Sequence, residues 1–484
     1  MPPVTQAQPP LEFIPPNFNP LVYFTSQSLL PLWMRWQVQI TEVQVKNPEI
    51  LVNLFQQFQT GKTRFMLAFR HASVDDPYCL YALLSQHIPK VAKQQGVYLQ
   101  PPVHAHFMYD RGIPLWAGSS IGWLFSRLGG TPIRRGKLDL PGLRSARQLF
   151  ANGRFPIAAA PEGATNGHNE IVSPIEPGVP QLGFWCVEDL QKANRAETVV
   201  IVPIGIQYRY TLMPWSALDA LLSQLEGNAG LSAPTLSEAE VAAIRDRLPL
   251  EEPQQIQLYQ RLIRVGEALL SEMETFYSKF YHQQLVTAID ESSAEEGTRL
   301  ETADRPLVNQ VNQRIAQRLQ TLVDTALRVA EEYFGVPSKG DLNERCRRLE
   351  QAGWDRIYRE DLKQLENLAP IQRGLADRVA EEADLRLWHM RLVESFVSVT
   401  GHYILEKPTV ERFAETLLLL WDVVARMKGE NPFPRPRLGP QSVQITIGEP
   451  ISVSDRWQAY KTNRRQALGQ LTQDLQTALE QMII

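Results

Sequence analysis

Cysteine is nearly absent from this chain: Cys79, Cys186 and Cys346 are the only three in 484 residues, and they are widely scattered. That spacing offers neither a disulfide framework nor paired metal ligands, so a reducing compartment is expected and no metal site is assigned. An excess of basic charge is also missing. The 49 Lys and Arg residues against 53 Asp and Glu leave a net charge of -4. A general nucleic-acid binder needs a basic excess to displace counterions, so that class is excluded. No long uninterrupted apolar run occurs, which argues against a membrane-spanning helix. The stretch from Met1 to Pro20 has no basic leader and no apolar core, so no signal peptide is expected.

What is present divides the chain by character. Pro2, Pro3, Pro9, Pro10 and Pro15 mark an opening tail expected to be extended and loosely held. Leu21 to Trp36 follows as the most apolar stretch, broken by Ser26, Gln27, Ser28 and Pro31. Its Tyr23, Phe24, Trp33 and Trp36 suit a lipid interface, and they equally suit a helix packed on a core. Residues 1–36 are therefore read as a Pro-rich tail with a candidate membrane-interface segment.

From 37 to 215 short apolar runs recur at Phe65–Phe69, Val103–Tyr109, Phe155–Ala160 and Val199–Tyr208, with helical stretches between them. Strands alternating with helices imply an α/β sheet flanked by helices, with functional residues in the loops at strand ends. Residues 216–440 read as helical. Leu258, Leu262, Val265, Leu269, Met273, Phe276 and Phe280 step by three or four and predict one apolar stripe. Thr409 is a candidate cap for a helix that ends before Gly429. Asn431 to Pro440 is a Pro-rich linker. In 441–484 the alternation of Val443, Ile445 and Ile447 returns a strand, followed by Gly448-Glu449-Pro450 and a last helix. The expected architecture is an α/β domain, 37–215 with 441–484, interrupted by a large all-helical insertion.

Two motifs carry chemistry. His71 and Asp76 are separated by four residues, and Pro161-Glu162-Gly163 closes an apolar run farther along. A histidine can remove a proton from a hydroxyl near neutral pH. A carboxylate on its other ring nitrogen sets the tautomer and stabilises the imidazolium. Pro77 favours a helix start, which would place Asp76 one loop turn from His71; Asp75 is the competing partner.

With these blocks in order, the chain resembles the glycerolipid acyltransferase family, best known for acylating 1-acylglycerol-3-phosphate. His71, Ser73 and Asp76 match its first block. Gly129-Gly130-Thr131-Pro132-Ile133-Arg134-Arg135 matches the second, Ala158 to Gly163 the third, and Val199 to Ile204, with Pro203, the fourth. Gly448-Glu449-Pro450 matches a closing strand. The resemblance covers about 37–215 and 441–484 and implies a glycerolipid-acyltransferase-like sheet. It implies that His71 is the general base and Asp76 its orienting partner. A lysophospholipid hydroxyl would attack acyl-CoA or acyl-carrier protein directly, with no covalent acyl-enzyme and no cofactor beyond the thioester donor. Arg134, Arg135, Glu162 and Gly163 would bind the acceptor, arginine being suited to phosphate by its two parallel donors. The implied setting is the cytoplasmic side of a membrane, in phospholipid metabolism.

Two positions depart from the family's pattern. Thr165 stands where an arginine usually follows Pro-Glu-Gly, and Arg70 stands where an asparagine usually precedes the histidine. The phosphate is then held by Arg134 and Arg135, or the acceptor is another lipid or alcohol. Six arginines and one lysine lie between Arg127 and Arg154, against the single acid Asp139. They fit an anionic head group, a carrier protein or a membrane, and also a solvated helix face. His104 and His106 are expected as strand or core residues rather than metal ligands, and His168 as an exposed loop residue. The competing function is a catalytically silent lipid-binding scaffold in which the helical insertion does the work.

Overall fold

β2 (Thr63–Phe69) is apolar at nearly every position and buried at every one, as a strand must be when both faces of its sheet are covered. It lies inside a mixed eight-stranded sheet. A computed structural model describes residues 4–134, 139–232, 252–283, 305–367, 369–396 and 401–483. The chain divides into two compact units, Leu11–Leu212 with Pro440–Ile484, and Met1–Pro10 with Met213–Gly439.

The first unit is α/β. Its strands are β1 (Ile40–Lys46), β2, β3 (His106–Asp110), β4 (Thr131–Ile133), β5 (Ile157–Ala159), β6 (Thr198–Tyr210), β7 (Gln441–Ile447) and β8 (Ile451–Ser452). The sheet order is β1-β7-β6-β2-β5-β3-β4, with β8 also paired to β6. From β6 through β4 all neighbours are parallel, whereas β7 and β8 run antiparallel to β6. The carboxyl ends of β2, β3, β4 and β5 therefore share one edge. β6 overruns that edge: Phe69, the last residue of β2, pairs with Ile204, and β6 continues to Tyr210 against β7.

Helices cover both faces. Phe65, Leu67 and Phe69 point into a core with Leu51, Val52, Leu54 and Phe55 of α2, following α1 (Pro20–Trp33) and preceding α3 (Asp76–Ala82) and α4 (Ile88–Gln94). α2 here is Pro48–Gln59, opened by Pro48 in its first turn. Met66 and Ala68 point the other way, against the helices Leu140–Asn152, Gly178–Lys192 and Arg464–Glu480. Each such Phe or Leu side chain contributes about 2 kcal/mol of burial.

Several expectations need correction. β1 and β4 were not anticipated, and the third strand starts at His106 rather than Val103. Residues 4–10 are not loosely held, and they group with the helical unit rather than with residues 11–36. Within the helical unit the Ala7 amide donates to Asp377 Oδ1 (2.9 Å), the Val4 amide to Asp384 Oδ2 (3.0 Å) and the Gln8 amide to Ile357 O (2.7 Å). Buried amides must find acceptors, and these carboxylates and carbonyls supply them.

α1 joins the α/β core instead. Tyr23, Leu30, Met34 and Val38 are buried along it and the turn that follows. The Tyr23 hydroxyl donates to Val103 O (3.2 Å) and the Tyr81 hydroxyl to Tyr23 O (2.8 Å). Its other side exposes Leu21, Phe24, Leu29, Leu32, Trp33 and Trp36. The reading of a helix packed on a core thus holds for one face, and the other face is apolar and exposed. Among the described residues no helix is long and apolar enough to cross a membrane.

The second unit is helical, with helices at Trp215–Asn228, Pro253–Tyr281, Arg305–Phe334, Leu342–Ile357, Pro370–Phe396, Gly401–Glu406 and Val410–Met427. The stripe of the second of these is buried from Leu258 through Met273, then passes to Tyr277, leaving Phe280 exposed. Phe280 stands five full turns after Leu262 on a helix of 3.6 residues per turn and so keeps the angular position of the stripe; it is exposed in the last turn, where the helix ends at Tyr281. Thr409 caps the last helix by accepting from the Arg412 amide (3.4 Å).

Candidate active site

The loop leaving β2 carries Arg70 and His71, and the loop leaving the adjacent parallel strand β5 carries Pro161 and Glu162. Carboxyl ends of parallel strands are where sites of α/β proteins form, because side chains from several loops converge there. α3 begins at Asp76 with Pro77 in its first turn, so the chain curls back on the histidine.

His71 Nδ1 lies 2.9 Å from Asp76 Oδ2. The same oxygen accepts the Ser73 amide at 2.9 Å. A carboxylate can only accept from these donors, so Nδ1 carries a proton, and in the neutral ring that leaves Nε2 as the bare nitrogen. Asp76 is completely buried, while the His71 side chain is 22% exposed. The dyad is thus anchored inside and open at the working nitrogen. Asp75, the alternative partner, instead accepts from the Ser73 hydroxyl at 3.4 Å, and that hydroxyl accepts the Asp75 amide at 3.1 Å. Ser73 is consequently engaged by Asp75 and not by the histidine.

A second carboxylate sets the backbone. Glu162 Oε1 accepts the His71 amide at 2.7 Å, and Oε2 accepts the Ser173 amide at 2.8 Å and Asn166 Nδ2 at 3.3 Å. Glu162 was expected to bind acceptor, but both oxygens are turned into the protein and the residue is buried. Its work is to tie the His71 loop to the loop after β5. Burial pushes its carboxyl above the usual range, opposed by the two amides and the nearby Arg70 charge. Gly163 makes the turn possible. Its φ of +75° is in the left-handed region, and an added Cβ would collide with the Glu176 carboxylate.

Arg70 is the departure whose role the sequence did not disclose. Its side chain is 1% exposed. The guanidinium donates to the carbonyls of Asn169, His168 (2.6 Å) and Ile171 (2.7 Å). It therefore shapes the loop that follows Pro161-Glu162-Gly163. His168, expected on the surface, is buried as part of this clamp, while Thr165 is exposed.

The second matching block lies along the same sheet edge. Arg134 follows β4, and its amide donates to Asp139 Oδ2 at 2.8 Å; that oxygen also pairs with Arg111 at 2.5 Å. Arg135 lies outside the described residues. His104 and His106 hold the turn before β4. His104 Nε2 donates to Leu128 O (2.7 Å) and His106 Nδ1 to Gly129 O (2.7 Å). Burial drives His104 down to about 3 and His106 below its ordinary value. Both are neutral packing residues. Among the described residues no cluster of three or more His, Cys, Asp or Glu could hold a metal.

The basic stretch is partly consumed by structure. Arg147 pairs with Asp189 (2.6 Å) and Glu188 (3.0 Å), and Arg154 lies over the rings of Phe18 and Phe155. Arg144 remains exposed on the same helix. Gly118-Ser119-Ser120-Ile121-Gly122 has the G-x-S-x-G spacing of a nucleophile elbow. That elbow needs a strand feeding a helix, whereas here a short helix, Ile113–Ala117, precedes the helix Ser119–Arg127. No elbow forms.

Tyr208 and Asn169 were also missed. The Tyr208 hydroxyl donates to Asp76 Oδ1, and Asn169 clasps the Tyr208 backbone, donating to its carbonyl and accepting its amide, both at 2.8 Å. Both residues come from segments remote from His71, and no local pattern marks them. No known protein family, curated protein or solved structure matches this chain.

Proposed function

We propose that this protein is an O-acyltransferase that moves a fatty acyl group from acyl-CoA or acyl-carrier protein to the hydroxyl of a lysophospholipid, with 1-acylglycerol-3-phosphate the leading acceptor. The observation that carries the reading is the His71–Asp76 pair, with Nδ1 tied to a buried carboxylate and Nε2 open to solvent. In this mechanism Nε2 takes the proton of the acceptor hydroxyl as its oxygen attacks the thioester carbonyl. The acyl–oxygen bond forms, the carbon–sulfur bond breaks, and the proton passes from the imidazolium to the departing thiolate. Asp76 stabilises the transient imidazolium. Direct attack fits the engagement of Ser73 by Asp75, which leaves His71 without a serine partner.

Arg134 supports recognition of the acceptor phosphate by its place beside β4, and Arg135 is assigned the same task from the resemblance. Glu162 and Gly163 serve by positioning rather than by contact. The reading places the protein at the cytoplasmic surface of a membrane, supported by the exposed apolar face of α1 and by three cysteines that are free and buried. Trp33 packs near Tyr78 of α3, with ring centroids 6.3 Å apart, so that face adjoins the helix that supplies Asp76.

The test is transfer from labelled acyl-CoA to 1-acylglycerol-3-phosphate in detergent by the full chain and by His71→Ala. Product from the first and loss of at least about 10³-fold in the second is expected. Equal product from both would refute the assignment of His71. No product from either, with acyl-carrier protein also tried as donor, would refute this acceptor.

A further inference from the structure

Asp76 has two oxygens, and only one serves the histidine. Oδ2 takes His71 Nδ1 and the Ser73 amide, each at 2.9 Å. Oδ1 takes the Tyr208 hydroxyl. The carboxylate is completely buried, so an oxygen without a donor there would have no water to turn to. A swing of the carboxylate toward another donor would be the cheapest response, and it would draw Oδ2 off the line to His71 Nδ1 and weaken the bond that favours the Nδ1–H form.

Tyr208 is held in place for this contact from three directions. It stands on the part of β6 that overruns β2, in register with Val443 of β7. Asn169 grips its backbone through both amide and carbonyl, and the Asn169 carbonyl is itself held by the Arg70 guanidinium. The hydroxyl also meets Cys79 Sγ at 3.6 Å. Burial and the neighbouring Asp76 charge push the phenol well above its ordinary value, so it remains a donor. A tyrosine needed only to fill space would not require its hydroxyl on a buried carboxylate.

We propose that Tyr208 is a positioning residue for His71, its hydroxyl locking the Asp76 carboxylate in the orientation that keeps the proton on Nδ1 and Nε2 bare. The catalytic part of this inference rests on His71 acting as the base; the tautomer part does not. The Arg70–Asn169–Tyr208 chain extends the site from a dyad to a set of residues drawn from the loops after β2 and β5 and from β6.

The experiment uses the full chain with ¹⁵N-labelled histidine. Long-range ¹H–¹⁵N spectra report the tautomer, and His71 is identified by the signal lost in His71→Gln. Wild type is expected to show the Nδ1–H form alone, and Tyr208→Phe a mixture of both forms. In the acyl-transfer assay Tyr208→Phe is expected to lower kcat about tenfold, the loss of one buried hydrogen bond, with KM within about twofold. In an Asp76→Asn background the same substitution should change neither quantity further, because the lock acts through the carboxylate. A single Nδ1–H tautomer in Tyr208→Phe overturns the proposal. A tautomer shifted in Tyr208→Phe, beside a wild-type protein that transfers no acyl group, would uphold the lock on His71 and refute the enzymatic reading instead.

Discussion

Replacing Arg70 by methionine isolates the clamp on the loop after β5. Methionine keeps the unbranched stem and removes the guanidinium. Three carbonyls lose their donor, those of His168, Asn169 and Ile171. His168 and Asn169 are buried, whereas Ile171 is 38% exposed and water can replace the donor there. Each buried carbonyl left unsatisfied costs about 1–3 kcal/mol. Two of them give about 2–6 kcal/mol, reduced by no longer holding a cation in the core. We expect about 3 kcal/mol, confined to the loop. Because the chain forms two units, a single global unfolding energy is not the right measure. Hydrogen–deuterium exchange of peptides spanning Gly163 to Ser173 is. At 1.4 kcal/mol per factor of ten, local opening should rise about 10²-fold. Peptides from β7 should be unchanged. Arg70→Lys should recover part of the protection, since an ammonium can donate to some of the carbonyls but lacks the planar fork. Exchange in Arg70→Met within threefold of wild type would refute the view that this guanidinium holds the loop.

Two further outcomes follow from the same geometry. His104 is held at about 3 by burial, below its ordinary value of 6.5, so the unfolded chain binds the proton first; its contribution to stability is full above pH 6.5 and lost as the pH falls from there towards 3. Between pH 7 and 4.5 this amounts to about 2–3 kcal/mol; in urea unfolding followed by hydrogen exchange of peptides from β2 and β3, which report the α/β unit alone, His104→Gln, which can still donate to Leu128 O, should lose that much less stability over the interval than wild type, and an equal loss would refute the assignment. On α1 and the turn that follows it, the pair Leu32→Glu and Trp36→Glu puts two charges on the exposed apolar face, and flotation with phosphatidylglycerol-containing vesicles should fall at least tenfold if that face meets lipid. Unchanged flotation would assign the face another role.

The amino-acid sequence by itself determined the α/β class, the strands β2, β5, β6 and β7, the largely helical character of the described residues of 216–428 and the cap at Thr409. These are local properties: a buried strand reads as an apolar run and a capped amphipathic helix as a repeat with a stop. β1 was missed because Ile40, Val43 and Val45 are its only even partly buried residues and an irregularity between Ile40 and Glu42 breaks their alternation, and β4 because three residues containing Pro132 carry almost no pattern. The spacing of His71 and Asp76 was legible too, since five residues and a helix-starting proline bring them together locally.

Only the tertiary structure decided what each polar group does. Spacing favours Asp76 but leaves Asp75 as a competing partner, and the start of α3 at Asp76 turns one to the histidine and the other to Ser73. Glu162 looked like a ligand for substrate, yet parallel pairing of β2 with β5 sets it against the His71 amide, 91 residues earlier. The third contact of the buried carboxylate comes from Tyr208, 132 residues from Asp76. Hydrogen bonds depend on distances of a few ångströms between atoms, and across such separations in sequence those distances are set by sheet order and register alone.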